Sequence, residues 1–201
     1  MKKALSAFAI LALLAACSSE PSPTAKLEYT LPSKIVLDVQ HISFADNSPP
    51  PGMDSPYNAH RLEPTIAQAI RQWAADRLQA GGTNGQAVVV VKDASLTTQT
   101  LPMSQNWKDS WFKRQQAHKY TGRAAVQIEI RVRNGYAVAT AEASRSVTLP
   151  EDPAAAERQD AYITLLNGLM RDLGQNLEAS IRQHMQSYIL PAMAMSAAPR
   201  S

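Results

Sequence analysis

Apolar and polar positions fall into two periods along this chain. Ile35, Leu37 and Val39 alternate with Val36, Asp38 and Gln40, which puts one side of a strand into a core. From Pro64 the period lengthens. Ile66, Ile70, Trp73 and Arg77 recur at three- and four-residue spacing, proline suits a first helical turn, and Gly81-Gly82 predicts the stop. Residues 87–91 are one alanine and four valines. That unbroken run predicts a central strand covered on both faces and continuing towards Thr100. Asn134-Gly135 then separates two alternating runs and predicts a two-residue type I′ hairpin. In that register Val132, Ile130, Ile128 and Val126 face Ala137, Ala139, Ala141 and Ala143. Alanine adds little height, so a helix can lie close to that face. The other face sets Arg133, Arg131, Glu129 and Gln127 against Tyr136, Val138, Thr140 and Glu142, and is expected to be wet. After Asp152-Pro153, Tyr162, Leu166, Leu169, Leu173, Leu177, Ile181 and Tyr188 keep nearly a 3.6 period. This predicts a helix of about 50 Å, with a bend plausible at Gly168 or Gly174 and an end at Pro191.

The pattern predicts an α+β fold: one sheet in βαβββα order, two helices packed on one face, and a long C-terminal helix. Pro49-Pro50-Pro51-Gly52 removes donors from residues 46–60. That stretch reads as a surface connection or a semi-rigid binding loop. No internal repeat is visible.

Ahead of this pattern stand two lysines, an apolar run over residues 4–14 broken only by Ser6, and then Leu14-Ala15-Ala16-Cys17. These are the parts of a secretory leader. The apolar run has roughly half the length that spans a bilayer. Leu14-Ala15-Ala16-Cys17 resembles the lipobox of bacterial lipoproteins. The resemblance implies cleavage before Cys17, a diacylglyceryl thioether on its sulfur and, in most Gram-negative lipoproteins, a further acyl chain such as palmitate on its amine. Ser18, where aspartate would retain an enterobacterial lipoprotein in the inner membrane, favours the outer membrane, with the inner membrane still open. The chain then divides into a signal peptide (1–16), a lipidated tether (17–26), one α+β domain (27–190) and a flexible tail (191–201).

This reading changes what charge and composition mean. The whole chain carries a formal +3, but two lysines leave with the leader, and the remaining 18 basic and 17 acidic residues give +1. A nucleic-acid partner would require a strong basic surplus or stripe, so none is expected. Cys17 is the only cysteine. Once it carries lipid, no thiol remains for a nucleophile, a thiolate metal site or a disulfide. His41, His60, His118 and His184 are scattered without metal-ligand spacing, and no GxSxG is present. Residues 81–85 are glycine-rich but follow a helix and precede a strand, the reverse of a phosphate-binding loop. No enzyme activity, cofactor or metal is expected.

Residues 103–120 are less ordinary. Trp107, Trp111 and Phe112 are interleaved with Lys108, Lys113, Arg114 and Lys119. The mix suits a lid over the sheet, a protein-partner hot spot, or a membrane interface where aromatic rings sit at headgroup level. Trp107, Trp111, Phe112, Lys113 and Arg114 are the candidate partner or membrane contacts. Tyr29-Thr30-Leu31-Pro32 looks like the Tyr-x-Leu-Pro opening of auxiliary lipoproteins of ABC-type lipid transporters, and the layout is similar to that of the LPS-assembly lipoprotein. The runs over residues 71–78 and 114–117 resemble alphaproteobacterial envelope lipoproteins that carry no assigned activity. Together these imply a membrane-anchored, periplasm-facing, non-enzymatic accessory protein that binds an envelope complex in transport or assembly. The alternative is a carrier holding an apolar ligand between the sheet and the long helix.

Overall fold

The computed structural model describes residues 33–53, 55–102 and 116–191. Its strands are β1 (Ile35–Leu37), β2 (His41–Asp46), β3 (Leu78–Ala80), β4 (Gln86–Thr100), β5 (Gln116–Val132), β6 (Gly135–Pro150) and β7 (Ile189–Leu190). The helices are α1 (Pro56–His60), α2 (Ile66–Arg77) and α3 (Ala155–His184). The α+β class and the long C-terminal helix follow the sequence pattern, and α2 makes a parallel crossover between the strands on either side of it.

The single sheet does not. Two sheets form among the described residues, one ordered β2-β4-β5-β6 and a smaller one ordered β3-β1-β7. β1 and β2 are separated by a bend over residues 38–40, and β3 and β4 by residues 81–85, so β1 pairs in parallel with β3 while β2 pairs in parallel with β4. At the bend the backbones stay bonded irregularly, Gly81 and Gly82 donating to the carbonyls of Leu37 and Val39. A side chain on Gly82 would run into the backbone of Asp38 and Val39. The glycines therefore serve a close strand crossing. The helix has already ended at Arg77, four residues before the predicted stop, where Leu78 turns extended.

At the other end of α2, Thr65 rather than Pro64 begins the helix. Its hydroxyl accepts from the Gln68 N–H, and the Gln68 side chain accepts from the Thr65 N–H. This reciprocal pair satisfies two otherwise orphaned donors. α1 lies inside the stretch expected to be a plain loop.

β4 carries a one-residue irregularity between Val91 and Asp93. It changes the phase of the strand. Ala87, Val89 and Val91 face the core before it, and Ala94 and Leu96 after it. Without that extra residue, half the strand would turn its apolar positions outwards.

The hairpin forms, but its register is two residues from the expected one. Arg133 and Asn134 make the turn, and Val132 pairs with Gly135, Ile130 with Ala137 and Ile128 with Ala139. Neither Arg133 nor Asn134 has positive φ, so the turn is not type I′. A shift of two keeps every side chain on its face, and the branched residues still meet the alanines. Gly135 has another use. The Tyr188 hydroxyl occupies the space where its side chain would stand.

Helices α2 and α3 cover the alanine face together. Leu165 and Leu169 from α3 and Ile66 from α2 all crowd against Gly122 of β5. Six of the seven predicted stripe residues of the long helix are buried in the core. Tyr188 instead lies beyond the helix in a short 3-10 turn. Gly174 admits the Trp73 indole from α2, whose nitrogen would lie 2.9 Å from an added Cβ. Trp73 is core, as its spacing predicts. Between the helices the fully buried Arg77 donates to Glu178 at 2.6 Å.

A relay of hydroxyls fixes the start of α2 to α3. The Ile66 N–H donates to the Tyr57 hydroxyl at 3.0 Å, and the Tyr162 hydroxyl donates to the Pro64 carbonyl at 2.6 Å. The Tyr57 hydroxyl lies 3.0 Å from that of Tyr162. Tyr162 has committed its only proton, so Tyr57 is the donor between them. Burial pushes both phenols up, Tyr162 far above the usual range. Below about pH 10 both folded and unfolded chains keep these protons and stability is full. Above it the unfolded chain loses protons that the folded one retains, so stability falls by up to about 1.4 kcal/mol per pH unit per phenol until the folded pKa is reached. Thermal melts from neutral to strongly alkaline pH should show that fall for the parent chain, and a shallower one for Tyr162→Phe. Equal slopes would show that the relay does not control alkaline unfolding.

Candidate functional site

The two edges of the large sheet are finished differently. Along β6, α3 supplies side chains to the backbone. The Thr140 N–H donates to Ser180 Oγ and Asn176 Nδ2 donates to the Glu142 carbonyl, both at 3.1 Å. Arg145 and Asp172 then pair side by side. The hydrogen bond from Arg145 is the main reason the Asp172 carboxyl lies below the usual carboxylate range. These groups occupy hydrogen-bonding positions that would otherwise be open to another strand.

The opposite edge is β2. Among the described residues it is the outermost strand of its sheet, and it covers only the first part of β4. Beside it opens an apolar groove of about 400 Å³. Ile42 and Phe44 form one wall, Ala74 and Ala75 of α2 the other, and Leu78 and Ala80 lie at its end. The small residues on α2 keep the helix surface low enough for the groove to exist. Arg71 is the one charged residue of its lining, its guanidinium carbon 4.4 Å from the centre of the Phe44 ring. A cation on an aromatic face is held without losing its capacity to meet an anion. The groove thus offers apolar contact, a backbone edge and one positive charge. It holds no nucleophile–base pair.

The outer face of the large sheet is polar, as expected. Glu129 accepts from Gln127 at 2.7 Å and from Arg131 at 2.8 Å. A concavity of about 500 Å³ is lined by Asp93, Arg123, Glu142 and Ser144 together with Ala124, Ala125 and Ala143, with Asp93 Oδ1 occupied by the Ser95 N–H.

Cys17, Trp107, Trp111, Phe112, Lys113 and Arg114 lie outside the described residues. The end of the aromatic–basic stretch is described: Lys119 and Tyr120 belong to β5, and Tyr120 is core. His41 and His184 are exposed at separate elements and His118 is half-buried in β5. No group of three potential metal ligands occurs among the described residues. The layer between the sheet and α3, where the carrier reading places a ligand, is filled by Leu165, Leu166, Leu169 and Leu173, each at most 3% exposed. The apolar groove lies instead against α2.

Sequence reasoning passed over Ile42, Phe44 and Arg71 as a site. A signal was present. Ile35, Leu37 and Val39 are odd-numbered and Ile42 and Phe44 even-numbered, with Val36 and Ala45 falling outside that alternation. That change of phase is the bend between β1 and β2, and it marks a second strand where a single one was expected.

No protein-family model matches the chain, and no curated protein sequence matches it. Among solved structures it is similar to a minor lipoprotein from Acinetobacter baumannii, at 16% identity over 77% of this chain and 98% of that one, with a TM-score of 0.37. It is also similar to rare lipoprotein B from Shewanella oneidensis, at 12% identity over 78% of this chain and 96% of that one, with a TM-score of 0.32.

Proposed function

We propose that this chain is a non-enzymatic accessory lipoprotein of the bacterial envelope, anchored through lipid on Cys17 and binding an envelope complex in transport or assembly. The observation that carries the reading is Leu14-Ala15-Ala16-Cys17 behind a basic, apolar leader. Two or three acyl chains on one residue hold a protein at a membrane, whereas one gives only marginal binding. Residues 18–26, rich in serine and proline, reach about 30 Å when extended, so the domain stands off the bilayer and faces the periplasm. Ser18 favours the outer membrane. The groove beside β2 gives the held domain a surface with which to bind.

The test is chemical crosslinking of intact envelopes followed by recovery of the tagged chain. An outer-membrane or transporter component should be recovered reproducibly at more than about ten times its level in an untagged control, the separation expected of a specific over a non-specific contact. Reproducible recovery of nothing would remove the accessory role.

A further inference from the structure

We propose that the outer edge of β2 is a docking strand that accepts an extended, acidic segment of a partner protein as an added strand of the large sheet. This rests on the accessory-protein reading and supplies its surface and partner chemistry.

The direction of the backbone groups carries the argument. The Asn47 N–H reaches the Val91 carbonyl, and β2 runs parallel to β4 with Ser43 opposite Val88 and Ala45 opposite Val90. With the two-residue repeat of a strand, Ser43 and Ala45 turn their backbone groups towards β4. Ile42 and Phe44 turn theirs outwards. Among the described residues no hydrogen bond reaches those outward groups. The same two residues place their side chains in the groove. One short strand therefore presents a pairing edge and an apolar wall together, the combination an added strand uses: its backbone pairs with the edge and alternate side chains enter the groove.

The contrast with β6 shows that this edge differs from the rest of the sheet. There α3 side chains occupy the backbone positions and a salt bridge flanks them. At β2 the neighbouring helix carries Ala74 and Ala75, which leave space. Arg71 gives the occupant its charge, since a carboxylate on the incoming strand would meet the guanidinium above Phe44. An acyl chain could fill the groove but would leave the outward N–H and C=O groups of Ile42 and Phe44 without partners. A peptide backbone supplies those partners.

The probe is the synthetic peptide acetyl-Thr-Val-Glu-Val-Thr-Val-Thr-amide, added at up to about 1 mM, in the range of weak peptide recognition, to the full chain in detergent. Backbone amide exchange is followed residue by residue. Amides of Ile42 and Phe44 should slow by at least about tenfold, as expected when exposed amides join a ladder. N-methylation of alternate residues on the pairing edge should abolish this, and N-methylation on the other edge should leave it intact. Replacing the peptide's glutamate with lysine should weaken binding about fivefold, the worth of one exposed ion pair, and Arg71→Glu should reverse that preference. Arg71 is exposed, so its replacement spares the core. Four results would overturn the proposal: no protection, equal binding by both N-methylated peptides, displacement by laurate with the same pattern, or prior protection that grows with protein concentration. The last two would identify a lipid groove and a second copy respectively. Each can occur while crosslinking still recovers an envelope partner, so failure here is separable from failure of the accessory role.

Discussion

Glu178→Ala is expected to destabilise the fold by about 3 kcal/mol, the usual cost of removing one partner from a buried ion pair. Arg77 is the largest fully buried side chain among the described residues, and Glu178 retains 20% exposure. The asymmetry matters. The carboxylate can recover some hydration when its partner is lost, whereas the guanidinium, sealed between α2 and α3, cannot. Removing Glu178 thus strips a charge in low dielectric of its closest counter-charge. Replacing both residues with apolar side chains of similar volume, Arg77→Met with Glu178→Leu, is expected to restore most of the loss, because neither desolvation penalty remains. Denaturant titration checks both. The midpoint should fall for the single variant with an unchanged slope and return for the double variant. An unchanged midpoint for Glu178→Ala would mean that the pair carries no stability.

Cys17→Ala is expected to move the chain from the membrane fraction to the soluble fraction. Each buried CH₂ contributes about 0.8 kcal/mol, so one acyl chain holds only marginally and two or three make release negligible. Among the described residues no helix is long and apolar enough to cross a membrane. Metabolic labelling with a palmitate analogue should mark the parent chain and not the variant, and carbonate extraction should release only the variant. Should the variant stay in the pellet, attachment would have to come from the Trp107, Trp111, Phe112, Lys113 and Arg114 stretch or from a partner.

Local patterns carried over well where a single force decides them. The stripe from Tyr162 to Ile181 is set by burial alone, and it became the buried side of α3. The branched and alanine columns of β5 and β6 met as expected, because a shift of two residues cannot change a face. What escaped was decided by contacts between distant parts of the chain. Asn134-Gly135 carries the local chemistry of a type I′ turn, yet Gly135 is needed small for Tyr188, more than fifty positions later in the sequence. Gly81-Gly82 resembles a helix stop, but Gly81 answers to Val36 and Leu190 and Gly82 to Asp38 and Val39. The second sheet depends on β7, two residues long, too short to produce a pattern. The groove was legible only as a change of phase between Val39 and Ile42, and its far wall comes from Ala74 and Ala75, too small to mark a helix face in the sequence.

The pairing of β7 with β1 also sets an order of events. Val36 pairs with Leu190 and Leu37 with Ile189, so the first and last described strands are neighbours. Contacts of such long sequence separation form late, because a large loop must close before they contribute. A chain emerging N-terminus first can assemble the β4–β5–β6 hairpins early, but the small sheet must wait for residue 190. The small sheet thus cannot close until Ile189 and Leu190 are available, and Tyr188, seated over Gly135, arrives among the last of the described side chains to lock it.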